Sequence, residues 1–306
     1  LLSDSVLKPI VTWWDSVIAD DPGIPDRFER YLEQLRRQKR ENGPEPDDPR
    51  LAFLPKPMRF YMRFPEIVRR GQLLPVLGYG MRGVIWFQGE SSIERAWQYR
   101  KLFPSMIREW RRDWGRGDFP FVYVQLQNYK TDPRQIAELR EAQLMTLSSV
   151  KNTAMAVAID IGDEDNVHFN NKWDVGRRLA LAALGTVYGK DIVYSGPVYR
   201  SMRRDGSRIR LRFDHVCGGL ESRNNQPLTD FEIAGKDRVF HPAEARISGS
   251  EVIVSSPDVP KPVAARYGWS DIPKCRLYND AGLPASPFRT DSWRGVTEGN
   301  VIPYPR

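Results

Sequence analysis

The chain holds only three histidines, His168, His215 and His241, so imidazole chemistry has few places to sit. His168 closes the run Asp163-Glu164-Asp165-Asn166-Val167-His168, with Asp165 three residues before it. A D-x-x-H turn can set a carboxylate against the imidazole Nδ1. That fixes the tautomer, stabilises the imidazolium and leaves Nε2 free as a general base. A loop Asp and His capping a following helix would use the same letters. A second polar cluster, Gln88-Gly89-Glu90-Ser91-Ser92, cuts short the apolar run Val84-Ile85-Trp86-Phe87. A glutamine at the carboxyl end of a strand can aim its amide N–H at a developing oxyanion. Gly89 would let a substrate approach the backbone closely, and Ser91 or Ser92 would cap the next helix. His215 and His241 lie among β-type runs and read as packing or surface residues.

These side chains need elements to hold them. Residues 83–87 read as a buried strand, because short apolar runs with β-branched and aromatic residues suit a parallel sheet covered on both faces. A helix is expected from about Ser92 to Trp114, where Ile93, Trp97, Arg100, Phe103, Ile107, Trp110 and Trp114 form one stripe. Strand 121–126, helix 138–150, strand 153–161 and helix 171–189 follow. This alternation predicts an α/β architecture, a parallel sheet with helices on its faces. In such sheets ligands gather beyond the carboxyl ends of the strands, which puts the tails after the first and third strands on one rim. Beyond Gly189, RIRLRF, EVIVSS and PVAARYGW sit between turn-rich segments and predict a C-terminal antiparallel β unit. Residues 1–40 read as helical and ENGPEPDDPR (41–50) as a loop or linker. The domains expected are therefore 1–75, a helical and irregular segment packing on the core; 76–190, the α/β core; and 191–306, the β-rich part.

Composition narrows the classes. The 306 residues are 41% hydrophobic, enough for a packed core, and carry a net charge of +7. The basic residues are scattered and, as in FERYLEQLRRQKRE, interleaved with acids, so the charge reads as a solvated face and not as a nucleic-acid footprint. No run approaches the about 18 apolar residues of a membrane span. The N-terminal residues have no basic region and cleavage site of a secretory signal. Cys217 and Cys275 lack C-x-x-C spacing, so zinc is not expected; they would pair in an oxidising compartment or stay as thiols. DIGDEDNVH has enough acids to touch a cation, but no second ligand cluster accompanies it. No cofactor or metal is therefore expected.

Together these blocks resemble a known family. GVIWFQGESS is similar to the G-V-I-W-[YF]-Q-G-E-[ST]-[ND] block of the sialate O-acetylesterase family, within the SGNH hydrolases. FPSMIREWRRDWGRGDFPFVYVQL, ELREAQ and DIGDEDNVHFNNKWDVGRRLALAAL resemble its following segments. VYSGPVY, RLRFDHVCGGL, FEIAG, VIVSSP, PVAARYGW and LYNDAGLPASPFRT resemble its β tail. The likeness is continuous from about Val76 to Trp293. It implies an SGNH-type, flavodoxin-like sheet and deacetylation of acetylated carbohydrate by a Ser–His–Asp mechanism. His168 would be the base, Asp165 its orienter and Asp163 the runner-up. Gln88 would be an oxyanion donor, Gly89 would shape the pocket and Glu90 would hold the loop by hydrogen bonds. It also implies an extracytoplasmic location.

Two departures stand out. The family's His-Pro is His168-Phe169 here, so Phe169 would loosen the turn or add an apolar wall. The family's nucleophile block, of the type G-Q-S-N-M, is absent; Ser3-Asp4-Ser5-Val6-Leu7 mimics a G-D-S-L turn in letters only, with Ser3 in place of the glycine. The expectation is that an N-terminal segment or second chain carries the serine. The rival reading is a non-catalytic carbohydrate-binding or scaffold protein that lost it.

Overall fold

A computed structural model describes residues 72–131 and 134–300, with Pro22, Gly23, Asp26, Arg30, Glu33 and Arg37. The last four of these are helical, as expected for that stretch. Ser3, Ser5, the 41–50 loop and the proline-punctuated stretch up to 71 lie outside the described residues. The chain divides into two compact units, residues 1–80 with 301–306 and residues 81–300. In the first, Leu74–Val76 form one turn of 3₁₀ helix. The second unit holds the expected α/β core from residue 81 and the expected β-rich part up to residue 300.

The core is a parallel sheet of three strands in the order β1 (Val84–Trp86), β2 (Phe121–Gln125), β3 (Thr153–Val157). Helices α1 (Ala96–Trp114), α2 (Gln135–Ser149) and α3 (Lys172–Thr186) follow the strands in turn. β2 is buried along its whole length. Its alternation divides the core: Phe121 and Tyr123 pack with Phe103, Ile107 and Leu139 of α1 and α2, while Val122 and Val124 pack with Val175, Leu179 and Ala182 of α3. A strand covered on both faces needs apolar residues at every position, which is why it reads as a continuous run. β1 is the exception. Ile85 lies beside Val122 in register yet is 69% exposed, and among the described residues no strand pairs with the outer edge of β1.

The helix after β1 departs from expectation. Glu90–Arg95 form a 3₁₀ helix that becomes α1 only at Ala96, and neither start has a side-chain cap. Ser91 and Ser92 are therefore not N-caps. The chain enters the helix one residue after Gly89, Ser92 N–H already bonds to the Gly89 carbonyl at 2.8 Å, and the Ser91 hydroxyl is taken by Gln88. The cap at the start of α3 is Asn171, and not the loop Asp or His: its Oδ1 accepts from Asp174 N–H at 3.2 Å.

Beyond α3 the chain is antiparallel β. β4 (Val198–Asp205), β5 (Arg208–Asp214), β10 (Glu251–Ser255) and β9 (Glu244–Ser248) form one sheet in that order. β13 (Phe288–Arg289), β11 (Ala264–Tyr267), β7 (Phe231–Ala234) and β8 (Phe240–Pro242) form a second. β12 (Leu277–Asn279) and β6 (Leu220–Ser222) make a ribbon. Cys217 is exposed and Cys275 buried, and both are free thiols.

The β-rich segment grips the core through polar side chains. Gln125 Nε2 bonds Ser286 Oγ at 2.9 Å. Arg140 of α2 is fully buried and donates to four carbonyls: Leu126 and Gln127 just past β2, and Ser270 and Asp271 of the β-rich segment. Burial pushes its guanidinium down to about 10, still charged at neutral pH. Removing one buried partner leaves the others unsatisfied. Arg140→Met is therefore expected to lower the unfolding free energy by about 3 kcal/mol in urea titrations. Arg140→Lys should recover only part, since one ammonium cannot reproduce the planar fork.

Candidate active site

Three loops leave the carboxyl ends of the three strands and meet on one rim. Gln88, Gly89 and Glu90 follow β1; Gln127 and Asn128 follow β2; residues 158–168 follow β3. The sequence pointed to the first and third of these and missed the second. The available signal was the polar tail Gln127-Asn128 after FVYVQL, which occupies the same strand-end position as the other two.

The first loop is held from beneath by α2. Gln143 is almost fully buried, donates to the Gln88 carbonyl at 3.3 Å and accepts from Leu126 N–H at 2.9 Å. At Gly89 a Cβ would be tight: it would lie 3.0 Å from the Leu139 side chain, 3.1 Å from Leu126 and 3.2 Å from Gln143. The absence of a side chain thus lets the loop pack closely onto α2 and the segment after β2. The Gln88 carboxamide is half-buried; its Oε1 accepts from the Tyr99 hydroxyl at 3.2 Å and its Nε2 lies 3.4 Å from Ser91 Oγ. Burial pushes the Tyr99 phenol up, so it stays a donor. That donor holds Oε1 inward and leaves the amide N–H₂ as the outward end.

The third loop is built on Asp163. Its Oδ1 accepts from Asp165 N–H at 3.0 Å and Asn166 N–H at 3.1 Å, and Asn166 Oδ1 accepts from His168 N–H at 2.9 Å. These local turns compete with helix and keep 163–168 irregular until Asn171 starts α3. Asp165 and His168 are both exposed, and no hydrogen bond or ion pair joins their side chains. Behind this loop the buried Asp160 carboxylate accepts from Arg178 Nη2 at 2.8 Å and from the Tyr278 hydroxyl at 2.9 Å.

Two contacts bring the first and third loops together. Phe169, 2% exposed, packs edge-on against Phe87 with ring centroids 6.2 Å apart, and the Lys172 ammonium lies over both rings. Phe169, expected to loosen the turn or add an apolar wall, is thus a core side chain joining the loops. The fully buried Gln127 amide donates to Glu90 Oε1 at 3.2 Å and to the Val167 carbonyl at 3.4 Å. Glu90 holds its loop through this bond. His215 and His241 are on other segments: His215 lies edge-on to Tyr194 before β6, and His241 is in β8, 3.8 Å from Asp258. Among the described residues no group of three or more His, Cys, Asp or Glu is placed to hold a metal ion, and no helix is long and apolar enough to cross a membrane.

Residues 59–185 match the family model described as carbohydrate esterase, sialic acid-specific acetylesterase. The sialate O-acetylesterase of Mus musculus is 28% identical over 262 residues, which cover 76% of this chain and 48% of that protein. The Homo sapiens protein of the same name is 28% identical over 252 residues, 73% of this chain and 48% of its own. A solved carbohydrate acetylesterase from Xanthomonas citri is 45% identical with a TM-score of 0.69, covering 72% of this chain and 52% of that one. The chain spans about half the length of the relatives it matches. The motifs that resembled this family in the sequence include those that build the rim, and the family these comparisons support for the chain is that of the sialate O-acetylesterases among the carbohydrate esterases.

Proposed function

We propose that this chain supplies most of the active site of a carbohydrate O-acetylesterase, an enzyme that hydrolyses acetyl esters on sugar hydroxyls. The observation that carries the reading is the joining of the Gln88–Glu90 loop to the His168 loop on one rim, by Gln127 and by Phe87 against Phe169. In this reading His168 takes the proton of a serine as it attacks the acetyl carbonyl and returns it to the leaving sugar oxygen. Asp165 orients the imidazole, and the outward amide of Gln88 donates to the oxyanion.

The serine comes from an N-terminal segment or second chain. Its dock is the outer edge of β1, with which no strand pairs among the described residues and where the exposed Ile85 suits the addition of a strand. A secreted or otherwise extracytoplasmic location follows from the same reading. The test is acetate release from acetylated sugars, by this chain alone and by the full-length protein. Turnover by the full-length form only is the expected result. Turnover by neither would favour the non-catalytic carbohydrate-binding reading, to which the unjoined Asp165 and His168 side chains lend some support.

In the full-length protein, Gln88→Leu is expected to lower kcat by about 10²–10³-fold, the usual effect of removing one oxyanion donor. KM should change little, since the bond forms chiefly in the transition state. Steady-state kinetics on an acetylated sugar checks both.

A further inference from the structure

We propose that Gln127 is a positioning residue of this site: its side-chain amide sets the distance between the loop carrying Gln88 and the loop carrying His168. The inference rests on the reading of His168 as the base. Gln127 lies just past the end of β2, between the other two loops, and is fully buried. Its Nε2 faces Glu90 Oε1 and the Val167 carbonyl, the carbonyl immediately before His168. Both are acceptors, so the amide has one allowed orientation, with N–H₂ toward the two loops and Oε1 away from them.

One planar group therefore satisfies both loops at once, and neither can shift without losing a bond. Its own mount is rigid: the Gln127 carbonyl accepts from Arg140 at 2.6 Å, and the next residue, Asn128, accepts from Gly162 N–H through Oδ1 at 2.9 Å. The Gln127 Oε1 is buried without a hydrogen-bond partner among the described residues. A buried oxygen left so is unfavourable. For stability alone an apolar side chain of similar volume would serve this position as well; glutamine adds the double donor.

The experiment uses the full-length protein and three variants, with kcat, KM and thermal midpoint measured for each. Gln127→Glu keeps the shape, places a carboxylate against Glu90 and leaves Val167 without a donor. Gln127→Leu keeps the volume and removes both bonds without adding charge. The swap Glu90→Gln with Gln127→Glu restores the first link with donor and acceptor exchanged, but still leaves Val167 without a donor. For both single variants kcat should fall about ten- to hundredfold with KM within about twofold, the cost of misplacing a catalytic group by a fraction of its bond length. The swap should regain the thermal midpoint without regaining kcat.

A Gln127→Leu enzyme with kcat within about twofold of the parent overturns the inference. So does a swap that restores kcat, or a loss of kcat that tracks the thermal midpoint across all three variants. Full activity of His168→Ala would instead remove the underlying reading, which separates the two failures.

Discussion

In the full-length protein, His168→Ala is expected to lower kcat for acetyl-ester hydrolysis by about 10⁴–10⁶-fold, leaving a residual rate from the oxyanion donor and substrate binding alone. The size follows from the scarcity of substitutes. Of the other two histidines, His215 lies edge-on to Tyr194 before β6 and His241 sits in β8, so neither shares the loop after β3. The fold should not feel the change. The His168 side chain is exposed, and its loop is held by Asp163, by Asn166 bonding the His168 backbone and by Phe169 in the core. An unaltered circular dichroism spectrum with lost turnover is the expected pair of results. Turnover within tenfold of the parent enzyme would sink the assignment.

Asp165→Asn is expected to cost about 10³–10⁴-fold in kcat, because the amide would favour the wrong imidazole tautomer. Asp163→Asn gives the informative contrast. The Asp163 carboxylate already accepts two backbone N–H groups, so its task is to shape the turn, and an asparagine Oδ1 can accept the same bonds. Asp163→Asn should therefore change kcat by less than about tenfold. The Asp165 carboxylate has no such commitment. It is exposed, as is His168, so both side chains can change rotamer without breaking packed contacts. If Asp163→Asn proved the more damaging, the roles of the two carboxylates would be exchanged.

The parts of this structure that were legible in the sequence share one property: a local pattern decided them. FVYVQ and TAMAV are apolar runs buried on both faces, and both are strands. Asn171 precedes Lys172 as a cap precedes a helix, and α3 starts there. Ser91 and Ser92 also looked like caps, but tertiary packing decided otherwise. Gly89 packs closely on α2, and the chain leaves it through a 3₁₀ turn. Gln127 and Arg140 were opaque for the opposite reason. A glutamine after a strand looks like a solvated end, and an arginine in ELREAQ looks like an exposed helix position. Both are buried only because the β-rich segment and the neighbouring loops close over them. The role of Phe169 depended in the same way on Phe87, a residue on a different loop.

The Arg140 fork bears on the order in which the protein can be completed during synthesis. Its acceptors Ser270 and Asp271 lie 130 and 131 residues later in the chain. At ribosomal rates of about 5–20 residues per second, the α/β core emerges on the order of ten seconds before them. Through that interval the arginine has only its two nearby carbonyls, and the segment after β2 lacks its final anchor. The rim would thus be the last part of the core to set, once translation has delivered the β-rich segment.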